Sequence, residues 1–209
     1  MILLHLKSST REQHERAEAH LNLMDPALDL PRYRQVLGTL RGLYGRLEPR
    51  IGALLGESGR AALDWPARLK APLLDRDLRA LQVPAVGSAP DRPAETAFLR
   101  SEPDAWGAAY VLEGATLGGQ LVRRHLAAQL GLGEEGTAFY SSYGALTGPR
   151  WRAFGAALEA RAARDPEPAL FTDRVTHAAR CTFDLFGQLA APGTPPDRRP
   201  DDCAARSGL

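Results

Sequence analysis

Residues 2–22 read ILLHLKSSTREQHERAEAHLN. Apolar and polar residues recur here at three- and four-residue steps, so the stretch predicts a first helix. Lys7, Arg11, His14 and Glu18 fall at offsets that place them in one stripe on one face, beside Leu3, Leu6 and Ala17. Glu18 stands one turn after His14. A carboxylate there can accept from the imidazole nitrogen that does not bind a metal, which fixes the tautomer and strengthens the ligand. Lys7 and Arg11, one to two turns earlier, suit the acid groups of an anionic cofactor lying over the histidine. The same residues also make an ordinary solvated helix face, where such pairs add a few tenths of a kcal/mol each. His5, His20, His125 and His177 lack this basic-before, acidic-after setting.

Outward from this helix the periodicity stays helical. Pro31 suits the first turn of a second helix carrying Tyr33, Val36, Leu37, Leu40, Leu43, Tyr44 and Leu47. A weaker segment over 57–80 is interrupted at Pro66 and Pro72. Residues 82–93 read as a connection rich in proline and glycine. A long helix is predicted over 104–131, started by Pro103 and Asp104 and stopped by Gly131. Short helices follow near 134–142 and 149–164, then a last one over 169–190. No stretch alternates as a strand does. The fold class is therefore all-α, a single helical bundle over 1–190, with a proline-rich polar tail over 191–209 that reads as disordered.

The formal net charge of the chain is +1, so no global field favours nucleic acid or an anionic membrane surface. No apolar run approaches the roughly 20 residues that span a bilayer, and the start is too short in apolar residues for a signal peptide. These features predict a cytoplasmic protein. Of the 26 basic residues only Lys7 and Lys70 are lysine, which singles both out. Cys181 and Cys203 show no metal or redox spacing, and Cys181 reads as a buried thiol.

Gly114, Gly118 and Gly119 sit in the middle of the predicted helix 104–131. Each glycine costs about 0.5–1 kcal/mol there relative to alanine. Gly114 and Gly118 share a face at i, i+4, where a bare backbone admits a close neighbour, and the Gly118-Gly119 pair permits a bend. The neighbour is either another helix, in small-residue packing, or a flat ligand.

Together the two segments resemble the heme oxygenase family. Leu6, Lys7, Thr10, Arg11, His14, Ala17 and Glu18 match its proximal motif. Glu113, Gly114, Leu117, Gly118, Gly119 and Gln120 match its distal motif. Phe139, Tyr140, Tyr143, Gly144 and Trp151 fit a bacterial pattern, and Val175, Ala179, Thr182, Phe183 and Phe186 fit the last heme-facing helix. The resemblance runs from about residue 3 to 190 and looks closest to the bacterial, phytochrome-associated group. It implies a helical bundle with heme b, as cofactor and substrate, between the first and the long helix. It makes His14 the iron ligand through Nε2, with Glu18 on its Nδ1 side. Lys7, Arg11 and Arg152 would lie near the propionates, Phe183 against the ring, and Gly114, Gly118 and Gly119 along the catalytic distal face. The implied reaction consumes O2 and external electrons and yields biliverdin, ferrous iron and carbon monoxide. Its implied partners are a ferredoxin or reductase as electron donor and a bacteriophytochrome as bilin acceptor, with no nucleic acid and no membrane. The sequence departs from the family at Ala115, where well-studied members carry an aspartate that orders a water. Glu113, Thr116, Gln120, Arg124 and His125 are the polar residues nearby. A heme carrier or sensor that leaves the ring intact is the alternative that Ala115 keeps open. A thiaminase-type hydrolase would need a cysteine in a polar pocket, which the surroundings of Cys181 do not provide.

Overall fold

In a computed structural model, residues 1–84 and 93–190 are described. They form α1 (Ile2–Ser9), α2 (Arg11–Leu21), α3 (Leu30–Leu54), α4 (Gly56–Leu63), α5 (Ala71–Ala80), α6 (Glu102–Gly114), α7 (Gly119–Leu130), α8 (Ala138–Ser141), α9 (Thr147–Ala163) and α10 (Pro168–Ala190). Short 3₁₀ turns lie at Trp65–Arg68, Pro93–Thr96 and Gly144–Leu146, and no strand occurs among the described residues. The all-helical class is as expected. Most of the predicted connection over 82–93 and the whole tail over 191–209 lie outside the described residues.

Local chemistry explains most boundaries. Asp29 caps α3 by accepting from the Arg32 amide at 2.8 Å, with Pro31 in the first turn. Asp104 accepts from the Ser101 amide at 2.8 Å, which starts α6 two residues before the predicted Asp104. Asn22 and Gly131 end α2 and α7 in the left-handed conformation.

Two predicted helices are divided. The first is broken at Thr10, which is buried and whose Oγ1 donates to the Leu6 carbonyl at 2.8 Å. A hydroxyl bonded back to the preceding turn bends a helix. The helix expected over 104–131 is broken across residues 115–118. There the chain tightens to i→i−3 bonding: Thr116 donates to the Glu113 carbonyl at 3.1 Å, Leu117 to Gly114 at 3.0 Å and Gly119 to Thr116 at 3.2 Å.

α10 is the common support of the site. It packs most extensively against α6 and then against α2. A Cβ on Gly107 would stand 2.9 Å from the Cβ of Ala178 and closer still to the Val175 carbonyl oxygen, so only glycine allows α6 to approach α10 this closely. Trp106, Phe154, Phe171, Tyr33 and Tyr44 fill the core, and Cys181 is buried on α10. No helix among the described residues is long and apolar enough to cross a membrane.

Candidate functional site

His14 lies on the outer face of α2 with half of its side chain exposed. Phe183 of α10 meets the imidazole edge-on, with ring centroids 5.4 Å apart. Helical spacing alone brings Glu18 to the ring, with its Oε1 at 3.6 Å from Nε2. The expected arrangement put Nδ1 on the Glu18 side, whereas here Nε2 faces the carboxylate. The nitrogen expected to bind iron is therefore the one that Glu18 approaches in this structure. The His14 amide donates to the Thr10 carbonyl at 2.9 Å. Burial pushes up the pKa of the Tyr110 phenol on α6, opposed by the Thr10 hydroxyl.

The three distal glycines do not share one face. The tightened turn rotates about 120° per residue instead of about 100°, so the i, i+4 alignment of Gly114 and Gly118 is lost. Gly114 looks at the edge of Trp151, which a Cβ would meet at 3.9 Å. Gly118 is exposed, and a Cβ there would meet nothing within 4 Å. Gly119 is buried against α8: a Cβ would lie 3.2 Å from the Tyr140 carbonyl carbon and closer than 3.0 Å to its oxygen. One glycine is therefore a packing requirement, and another borders open space. Leu117 and Leu121, 50% and 56% exposed, leave apolar surface beside Gly118.

The basic residues lie on the rim. Lys7 and Arg152 are exposed, and Arg11 is exposed and pairs with Glu15 at 3.2 Å. The Leu3 side chain rests against Gly155, so α1 and α9 pack together. This packing carries Lys7, one turn after Leu3, and Arg152, three residues before Gly155, on neighbouring helices.

Each polar neighbour of Ala115 has a definite place. The Thr116 hydroxyl donates to the Glu113 carbonyl at 2.7 Å. Gln120 accepts from Arg123 at 3.3 Å, and His125 meets the Asp25 carbonyl at 3.1 Å. Arg124 is exposed. Glu113 is 2% exposed and forms an ion pair with Arg68 and another, at 3.2 Å, with Lys70. The Tyr143 hydroxyl donates to Glu113 Oε1 at 2.7 Å, and Lys70 Nζ donates to the Tyr143 oxygen at 2.6 Å. Burial lowers the Lys70 pKa, opposed by Glu113 and Glu48, and raises that of Tyr143. Sequence reasoning missed this cluster. Its one sequence signal was Lys70, a rare lysine in an arginine-rich chain.

The residues fit a flat, anionic, iron-bearing ligand. A half-exposed histidine faces outward on α2, an open glycine and uncovered leucines lie on the α6–α7 break, and basic side chains stand on the α1–α9 rim. Comparison with known proteins identifies the family and the fold. The heme oxygenase family profile matches residues 2–191. A heme oxygenase of Xanthomonas campestris pv. campestris is 33% identical over 141 residues, covering 64% of this chain and 76% of that protein. Among solved structures, heme oxygenase-1 of the cyanobacterium Synechocystis in complex with heme aligns with a TM-score of 0.72 at 17% identity, over 90% of each chain. Heme oxygenase 2 of Chlamydomonas reinhardtii, solved without heme, aligns with a TM-score of 0.76 at 18% identity, over 94% of this chain and 99% of that one. At such identities the two structures show the fold.

Proposed function

Since the chain belongs to the heme oxygenase family, we propose that it holds heme through His14 and opens the ring to biliverdin, ferrous iron and carbon monoxide. Heme supplies both the iron that activates O2 and the ring that is consumed, with electrons from an external ferredoxin or reductase. Every other contribution is the protein's own. His14 presents an imidazole nitrogen, Glu18 one turn later borders the ring, and Phe183 limits its swing. Gly118 leaves room over the ring, while Leu117 and Leu121 exclude water from its edge. Lys7, Arg11 and Arg152 meet the propionates and set which edge of the ring points inward.

One observation carries this reading. The half-exposed His14 stands on α2, the open backbone at Gly118 follows α6, and both helices pack against α10. The reading extends to a cytoplasmic location and to a bacteriophytochrome as acceptor of the product. A heme carrier is the second reading, favoured by Ala115, which offers no proton.

Two measurements test it. Titrating the protein with heme should give a histidine-type Soret spectrum, which His14→Ala abolishes while leaving the helical circular dichroism intact. Adding ascorbate or a reductase should then convert the heme to a bilin, whose isomer chromatography identifies. A Soret band that persists without bilin points to the carrier, and an unchanged spectrum in His14→Ala removes His14 as the ligand.

A further inference from the structure

Away from the His14 face, one set of buried ionisable groups has no role in the reading above. Lys70, Tyr143 and Glu113 form a continuous hydrogen-bonded line, Nζ to phenol oxygen at 2.6 Å and phenol to Oε1 at 2.7 Å. Groups from every neighbouring element face it. Arg68 pairs with Glu113, Glu48 of α3 accepts the Ala71 amide at 3.2 Å and the Lys70 amide, and Tyr44 of α3 lies beside Glu113 and Tyr143. Arg150 lies over the Tyr143 ring at 5.5 Å and pairs with Asp64 at 3.0 Å. Within the cluster, the buried cations Arg68 and Lys70 face the buried carboxylates Glu48 and Glu113.

Such clusters are a poor source of stability, because desolvation offsets the attraction. What distinguishes this one is where it ends. Glu113 is the residue before Gly114, and its own carbonyl receives both the amide and the hydroxyl of Thr116, at 3.1 and 2.7 Å. Glu113 is therefore fixed at its side chain by the cluster and at its backbone by the turn that shapes the distal wall. Arg150 joins the same assembly: its carbonyl accepts from Arg68 at 3.4 Å, and the next residue, Trp151, stands where a Cβ on Gly114 would meet it at 3.9 Å.

We propose that Lys70 and Tyr143, acting through Glu113, are positioning residues for the distal wall, fixing the 113–119 turn and setting protonation beside it. They fill the polar role that Ala115 cannot. This rests on the heme oxygenase reading. With Lys70 protonated, the Tyr143 hydroxyl stays aimed at Glu113. Loss of the Lys70 proton at alkaline pH removes its charge and leaves two N–H donors for three acceptors, the Arg68 carbonyl, Glu113 and Tyr143, which loosens the line.

Tyr143→Phe is the sharpest test, since it deletes one hydroxyl and keeps the ring beneath Lys70 and Arg150. In the protein without heme, amide hydrogen exchange at Thr116, Leu117 and Gly119 should accelerate about tenfold, while the exchange of α10 amides stays unchanged. In the ferric heme complex, heme affinity should stay within about threefold, a shift small beside the tenfold that one lost contact typically costs. The pH-dependent spectral transition should meanwhile move by about half a unit or more, since each unit reports a changed local field. Lys70→Met should move it in the same way, and Lys70→Arg should restore the wild-type midpoint. Unchanged exchange at the turn together with an unmoved transition in Tyr143→Phe would overturn the proposal. A wild-type protein that binds no heme would instead overturn the functional reading, whatever the exchange data show.

Discussion

Gly118→Ala and Gly119→Ala should behave in opposite ways, although the two residues are adjacent. At Gly118 φ is −81° and ψ −11°, which alanine adopts freely, and the new methyl meets nothing within 4 Å. Removing a glycine from such a site stabilises by about 0.4–1 kcal/mol, through lower entropy of the unfolded chain. At Gly119 the methyl would stand 3.2 Å from the Tyr140 carbonyl carbon and nearer still to the oxygen. Both partners are backbone, so neither yields by a rotamer change; α7 or α8 must shift. Overpacking of this kind costs about 1–3 kcal/mol, against a propensity gain of about 0.5–1 kcal/mol. The two variants should therefore differ by about 1–3 kcal/mol in urea denaturation, Gly118→Ala being the more stable. Heme titration should then reverse the order of interest. The Gly118 methyl points where the ligand is proposed to lie, and should weaken binding about tenfold or more, equivalent to about 1.4 kcal/mol. Equal stabilities, or a Gly118→Ala protein of unaltered heme affinity, would refute the division of labour between the two glycines.

Other expectations follow from single features. His14→Ala should unfold within about 0.5 kcal/mol of wild type, because half of the side chain is exposed and Glu18 is its one charged neighbour within 4 Å; chemical denaturation measures this alongside the spectral loss. Glu113→Gln leaves Arg68 and Lys70 buried with one carboxylate fewer and should cost about 3–5 kcal/mol. Lys70→Met and Glu113→Gln combined should cost less than the two single losses summed, which a double-mutant cycle checks. Burial raises the Asp77 pKa above 3.8, so the folded state binds that proton more tightly than the unfolded state. Its contribution is then fully present below 3.8 and declines as pH rises through the raised value. Asp77→Asn should flatten the fall in urea midpoint as pH rises above 3.8, and an unchanged slope would contradict the assignment.

Much of the fold was legible because its signals are local. Pro31, Asp104 and Gly131 act on backbone groups within a few residues of themselves, so those helix ends could be read to within one or two positions. The two divided helices were not legible. Thr10 bends the first by bonding back to Leu6, but the same residue is equally at home in an unbroken helix. The break at 115–118 is followed by Gly119 standing against Tyr140, a contact between α7 and α8 that no spacing within 104–131 encodes.

The candidate site divides along the same line. The sequence by itself determined that Lys7, Arg11, His14 and Glu18 lie along the first helix, because an i, i+4 relation is built into the geometry of a helix. It also raised the expectation that the glycines of the long segment serve a close approach, which Gly119 does against the Tyr140 backbone. Only the tertiary structure decided that Gly114, Gly118 and Gly119 meet three different surroundings: Trp151, open space and the Tyr140 backbone. Only it decided that Glu113, one of the polar residues beside Ala115, is held by Arg68, Lys70 and Tyr143 from separate segments. Helical phase is a short-range property of the chain, whereas the partner of a buried charge is chosen by packing between residues far apart in it.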